Sequence, residues 1–267
     1  MNALPARLAP YDWSLYLVTD TAMCAAAGRT VADTVAQAVA GGAGIVQIRD
    51  KDASDAEVAR MTRETVAALR QAGRSITPTG AAQGVGEVRD HGHGRDLDVS
   101  PAPDQRPVAV FIDDRLEVVR ALREEGLDIH LHVGQTDTPV PQVREVLGPD
   151  PLVGLSAQTP DEFSAAAALR DETTGAADVD LVGVGPVHDT LTKAGAPAGI
   201  GPRRLAALAE IAAQMGLPSV AIGGITAERA PALRDAPVLG ICVVSAICAS
   251  PDPRAAAAAI RSAYRGD

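Results

Sequence analysis

Aromatic side chains are scarce in this sequence: two Phe, three Tyr and one Trp among 267 residues. Since 46% of the chain is nevertheless hydrophobic, the core has to be filled by Ala, Val, Leu and Ile. That suits a parallel sheet buried on both faces, whose strands read as short runs of branched aliphatics. Cysteine is also rare. Cys24, Cys242 and Cys248 fit no metal-ligand or disulfide spacing, and three scattered thiols suit a reducing cytosol. Positive charge is short as well, with 24 Lys and Arg against 34 Asp and Glu and a net charge of −10. Such a surface repels nucleic acid phosphates and anionic lipid, which argues against both as partners. Small anionic substrates stay admissible where cations are gathered locally. No apolar run approaches the length of a membrane span, and Met1–Tyr11 lacks the apolar stretch of a signal peptide. A soluble cytoplasmic protein is expected, and a homo-oligomer is left open.

What is present is a rhythm. Aliphatic runs occur at Leu15–Thr19, Ile45–Arg49, Val108–Asp113, Asp128–Val133, Leu152–Ser156, Asp180–Val184, Ser219–Ile222 and Gly240–Val244. Segments of helical period lie between them. Ser54 with Glu57, and Thr159 with Pro160 and Glu162, carry the signature of capping boxes. Gly41, Gly73, Gly126, Gly148 and Gly216 stand where helices should stop. Eight such units predict one (β/α)₈ barrel over residues 1–267, a fold that commonly takes about 250 residues. A doubly wound open sheet is the alternative.

One stretch breaks the rhythm. Ser75–Pro107 has four prolines, five glycines and little apolar period, which predicts a flexible insertion. It follows a helix and precedes the third strand, so it belongs to the barrel face opposite the usual site of chemistry. His91 and His93 within it read as part of a solvated polar loop rather than as metal ligands.

Chemistry in this fold gathers at the C-terminal ends of the strands. The second strand runs into Gln47-Ile48-Arg49-Asp50-Lys51. Alternation puts Gln47, Arg49 and Lys51 on one side, where two cations can clamp a diphosphate. The third ends in Asp113-Asp114-Arg115, and Gly134-Gln135-Thr136-Asp137 follows the fourth. Carboxylates converging from neighbouring strand ends make sense around a hard cation, and Mg²⁺ is typically held by one or two carboxylates plus substrate phosphates. A bland role for one of these aspartates, capping the next helix, leaves the convergence unexplained. After the sixth strand come Gly183–Pro186 and then Thr190-Leu191-Thr192-Lys193, hydroxyls and an ammonium suited to phosphate. Gly223-Gly224 and Val244-Ser245 end the last two strands, the usual place of a barrel phosphate site.

In this order the blocks resemble the thiamine-phosphate synthase family, from Tyr16–Asp20 to Val244–Ile247, with only Ser75–Pro107 outside the likeness. The Gly185-Pro186 block followed by Thr190-x-Thr192-Lys193 is its most specific part. The resemblance implies condensation of hydroxymethylpyrimidine diphosphate with hydroxyethylthiazole phosphate, releasing pyrophosphate. It implies that Gln47 and Ser156 face the pyrimidine, that Arg49, Lys51 and Lys193 hold the diphosphate, and that Asp114 and Asp137 ligate Mg²⁺. Thr190, Thr192, Gly224, Val244 and Ser245 would take the thiazole phosphate, and Ile48, Asp50 and Asp113 count among the substrate-binding positions. Two departures stand out. Asp113 replaces the family's usual Asn, exchanging a hydrogen-bond donor for a repelling charge. The fourth strand, Asp128–Gly134, runs one residue longer than the family pattern, which a bulge would absorb. His132 matches the family's histidine, and His130, His132 and His188 read as structural. Two rival functions share this fold: a thiazole tautomerase-like isomerase, which needs no diphosphate clamp or metal, and a non-catalytic phosphate-binding barrel.

Overall fold

The computed structural model describes residues 4–78, 106–190, 192, 195 and 197–267. The eight aliphatic runs form β1 (Leu15–Val18), β2 (Ile45–Ile48), β3 (Ala109–Asp113), β4 (Ile129–Val133), β5 (Val153–Ser156), β6 (Leu181–Val184), β7 (Ser219–Ile222) and β8 (Gly240–Val243). Each is within one residue of its expected bounds. All neighbours pair in parallel in sequence order, and β8 returns to β1 through Leu17↔Val243. The sheet is therefore closed, and the open-sheet alternative falls.

Helices fill the connections: α1 (Thr21–Ala26), α2 (Val31–Ala40), α3 (Asp55–Gln71), α4 (Leu116–Glu124), α5 (Val140–Leu147), α6 (Pro160–Ala168), α7 (Gly201–Gln214), α8 (Ser245–Cys248) and α9 (Pro253–Arg265). Both expected capping boxes are formed, at α3 and α6, and a third joins Thr30 and Asp33 at α2. Gly73, Gly126 and Gly216 follow the last helical turns with positive φ, a conformation other residues resist. No helix among the described residues is long and apolar enough to cross a membrane.

Strand alternation divides the apolar residues into two cores. Outward side chains such as Leu17, Val46, Ile112, Leu131 and Val182 pack under the helices. Inward ones form a separate cluster of Tyr16, Val18, Ile45, Phe111, Leu152, Leu181, Val220 and Cys242. Leu8, Tyr11 and Trp13 close this cluster from below, so four of the six aromatic residues lie in one place. Toward the strand C-termini the inward positions turn polar: Gln47, Asp113, His132 and Ser156.

The fourth strand carries no bulge. Its ladder with β3 runs without a break from Val110↔Ile129 to Asp113↔His132, and His132↔Gly154 continues it on β5. His130 and His132 therefore both point inward, one at the aromatic floor and one at the mouth.

Ion pairs fasten the opposite face. Arg7 and Arg144 hold Asp180 at 2.8 and 2.9 Å, and Arg261 and Arg265 hold Asp12 at 3.0 and 3.2 Å. The chain leaving α3 and the chain entering β3 meet on this face, with Val108 N–H donating to Ser75 O and Arg74 to Arg106 O. Residues 79–105, with His91 and His93, lie outside the described residues. A cavity of about 510 Å³ between α2, α3 and α9 also opens here, lined by Gly41–Gly44, Arg74 and Arg261. It gathers none of the chemistry found at the other end.

Candidate active site

At the C-terminal mouth a cavity of about 160 Å³ is bounded by all eight strands or the loops that follow them. Gln47, Arg49, Asp113, His132, Ser156, Thr190, Thr192, Gly224, Val244 and Ser245 line it. Lys51 and Asp114 join the rim through ion pairs. The Lys51 ammonium lies 3.0 Å from Asp113 Oδ2 and pairs with Asp114 Oδ2, while Arg49 Nε lies 3.5 Å from the same Asp113 oxygen. The cations expected from β2 and the carboxylates expected from β3 are thus brought together.

Local folding explains the placement. Thr19 Oγ1 accepts from Arg49 N–H, fixing the backbone where β2 ends. Arg115 donates to the carbonyls of Asp50, Lys51 and Ala53 and pairs with Asp55 at 3.1 Å. One guanidinium so pins the loop that carries Lys51. Asp114 has φ +60, the left-handed region that Asp and Asn enter more readily than most residues. The turn lets its amide donate to His132 O at 2.9 Å and sends its carboxylate back to Lys51.

The fourth and fifth strands supply the side opposite. His132 Nε2 and Ser156 Oγ are hydrogen-bonded at 3.1 Å. The imidazole has room because β5 carries glycine beside it: a Cβ on Gly154 would come within 2.4 Å of His132 Nδ1, whereas one on Gly183 would make ordinary contact with Cε1 at 3.6 Å. Gln135 Nε2 donates to Ser156 O at 2.7 Å, tying the β4 loop to the end of β5. Asp137 Oδ2 accepts from Gly134 N–H at 2.8 Å, which closes its own loop.

The last three strands bring backbone and hydroxyls. Gly223 and Gly224 have φ of +109 and +60. Side chains there would collide with Pro186 at 2.4 Å and with Asp189 O at 2.7 Å. Only glycine lets this loop lie flat against the β6 loop and keep its amides near the cavity. Thr190 Oγ1 donates to Thr192 Oγ1 at 3.2 Å, and Ser245 begins the four-residue helix α8 behind Val244. Beneath the mouth, burial and then the Asp113 charge push the Cys242 thiol up, and burial, then Cys242 and then Asp113 push the Tyr16 hydroxyl up, so both stay neutral.

Some expected residues sit elsewhere. Ile48 is buried in the outer core, and Asp50 accepts from the Asp52 and Ala53 amides, shaping the loop rather than lining the cavity. Lys193 lies outside the described residues. His132, Gln135 and Gln158 are the additions from structure; inward alternation on β4 would have found the first. Among the described residues no cluster of three or more His, Cys, Asp or Glu forms a cage for a metal. Asp114 and Asp137 are not among the residues that line the cavity, and each uses one carboxylate oxygen in a contact of its own, with Lys51 and with Gly134 N–H.

The family model and the relatives by sequence agree. A family model described as thiamine monophosphate synthase matches residues 15–77 and 97–247. The thiamine-phosphate synthase of Azorhizobium caulinodans is 34% identical over 253 residues, 95% of each chain. The thiamine biosynthesis multifunctional protein ThiED of Corynebacterium glutamicum is 34% identical over 254 residues, of whose length this chain spans 28%. Among solved structures, thiamine phosphate pyrophosphorylase from Pyrococcus furiosus aligns with a TM-score of 0.67 at 24% identity, over 96% of this chain and 98% of that one.

Proposed function

This chain belongs to the thiamine monophosphate synthase family, and from that premise we propose how its mouth joins two phosphorylated heterocycles. It is a transferase of thiamine biosynthesis, a thiamine-phosphate synthase. The substrates are hydroxymethylpyrimidine diphosphate and hydroxyethylthiazole phosphate. The observation that carries the reading is the cluster of Arg49, Lys51, Asp113 and Asp114 across the cavity from the glycine loop of Gly223 and Gly224. Each end suits one phosphorylated partner, and the space between is where their rings meet.

In this reading Gln47 and Ser156 orient the pyrimidine, with His132 holding the Ser156 hydroxyl. Arg49, Lys51 and Lys193 take the diphosphate. Thr190, Thr192, Ser245 and the amides near Gly224 and Val244 take the thiazole phosphate. The bond between the pyrimidine methylene carbon and the diphosphate oxygen breaks, and its electron pair leaves with pyrophosphate. The ring stabilises the cation that remains, and the thiazole nitrogen donates its lone pair to that carbon. No covalent protein nucleophile is needed. The side chains position the acceptor and stabilise charge on the leaving group. Mg²⁺, held by Asp114 and Asp137, would neutralise charge on the diphosphate oxygens when bound. A tautomerase-like isomerase would need neither Arg49 and Lys51 on one rim nor carboxylates beside them.

The test is pyrophosphate release by purified protein given both heterocycles and Mg²⁺. Release that needs both heterocycles is expected, and none under any divalent cation would overturn the reading. Asp114→Ala and Asp137→Ala should each lower turnover by about a hundredfold or more, as loss of transition-state charge stabilisation does elsewhere. Full activity in chelator would remove the metal.

A further inference from the structure

Asp113 occupies the cation clamp in a way that a simple wall residue would not. Its side chain is only 12% exposed, and a single oxygen, Oδ2, faces both Arg49 Nε at 3.5 Å and Lys51 Nζ at 3.0 Å. That oxygen is sealed from solvent. Below it lie Tyr16 and Cys242, both buried and neutral, so its compensation comes from above, from the two cations. Lys51 is moreover shared with Asp114. Arg115, the next cation on this rim, is committed to three backbone carbonyls and Asp55. Among the described residues two cations face two carboxylates, and this cluster of Arg49, Lys51, Asp113 and Asp114 has no net positive charge to offer a polyanion.

We propose that Asp113 is a specificity-determining residue, an internal anion that makes this clamp accept diphosphate together with its divalent cation and resist diphosphate alone. The proposal rests on Arg49 and Lys51 being the diphosphate clamp. A diphosphate that engages them must take them from Asp113, which leaves a largely buried carboxylate without its partners and next to a second anion. An unpaired buried charge is costly. A divalent cation entering with the diphosphate restores the missing positive charge, and Asp114 stands beside Asp113 to receive it. Without the Asp113 charge Arg49 is released and Lys51 keeps Asp114 as its one carboxylate, so the clamp binds naked phosphate more readily and discrimination between the two forms of the ligand falls.

The experiment is calorimetric titration of the full chain with inorganic pyrophosphate, with and without Mg²⁺, for the parent and Asp113→Asn. The amide keeps the shape and removes the charge. Metal-free pyrophosphate should bind Asp113→Asn roughly ten- to a hundredfold more tightly than the parent, the scale of a hydrogen bond to a charged group. The ratio of affinities with and without Mg²⁺ should shrink by the same factor. Asp113→Ser, smaller and also uncharged, should shift the ratio in the same direction and serves if the amide variant misfolds. Equal ratios in the parent and the uncharged variants would overturn the role of Asp113. Failure of pyrophosphate to bind the parent even with Mg²⁺ is a different result, and would overturn the clamp itself.

Discussion

His130 makes the stability of this barrel depend on pH in a way that can be calculated. The ring is 2% exposed and lies 5.1 Å from Phe111 and 5.9 Å from Tyr11, centroid to centroid. Its Nδ1 accepts from Leu152 N–H at 3.2 Å, so the proton of the neutral ring sits on Nε2, 3.3 Å from the Tyr11 hydroxyl. Burial above all pulls its pKa from 6.5 to about 4. The folded state holds the ring neutral while the unfolded chain protonates it near 6.5. Between those values the unfolded chain binds more protons, so stability is complete above about pH 6.5 and drains as pH falls toward 4. The full difference corresponds to about 3 kcal/mol, of which about 2.5 kcal/mol is lost by roughly pH 4.5. His130→Leu removes the titration but strands the Leu152 amide and the Tyr11 hydroxyl, at a cost of about 1–3 kcal/mol. Urea unfolding should therefore find the variant less stable than the parent at about pH 7.5, with the gap closing or reversing by about pH 4.5. In melting temperature the parent's extra acid loss amounts to about 5–10 °C. Parallel pH profiles for parent and variant would refute this role for His130, because the other titrating groups are common to both.

Three further outcomes are expected. Gly154→Ala drives a methyl group to within 2.4 Å of the His132 ring; it should destabilise by about 1–3 kcal/mol and lower turnover by shifting Ser156, and unchanged melting and turnover would show that the ring moves aside freely. Arg144→Met leaves the buried Asp180 with the Val153 amide and Arg7, one cation in place of two; thermal unfolding should register a loss of about 3–5 kcal/mol while both Michaelis constants hold, and a raised Michaelis constant would connect that face to the mouth. Replacing residues 79–104 with a short Gly/Ser linker should leave both Michaelis constants nearly unchanged, since the flanking chain meets on the face away from the cavity. Its closure entropy varies by only about 0.6 kcal/mol per doubling of length, and a large loss of substrate affinity in a folded deletion would overturn the placement.

The strands were legible in the sequence because a parallel barrel buries both faces, so each of its strands is an uninterrupted aliphatic run ended by a polar residue or glycine. Ser54 with Glu57 and Thr159 with Glu162 announced α3 and α6 by the same local chemistry that forms their caps. The site was legible to the extent that it sits at strand ends: the residues at and just after the ends of β2, β3 and β5 to β8 make up most of the cavity's polar lining. Side-chain commitments between elements were not legible. Nothing in the residues around Asp113 says that it settles between Arg49 and Lys51. The place of His132 in the mouth depends on Gly154, more than twenty residues away in the chain, leaving space for its ring. The short helices α1 and α8 have too few residues to show a period.

The aromatic floor of the barrel gives this molecule an optical reporter of its own. Trp13 is the one tryptophan in the sequence. It is 3% exposed, its indole N–H donates to Leu8 O at 2.9 Å, and its ring meets Tyr11, Tyr16 and Phe111 edge-on at 6.3–6.4 Å. Its emission therefore comes from the closed end of the barrel, with the inward cluster between it and the mouth. A red shift will mark opening of that floor, whereas filling of the mouth by ligands should leave the spectrum almost still. Intrinsic fluorescence of the unmodified protein can thus follow unfolding and remain quiet during catalysis.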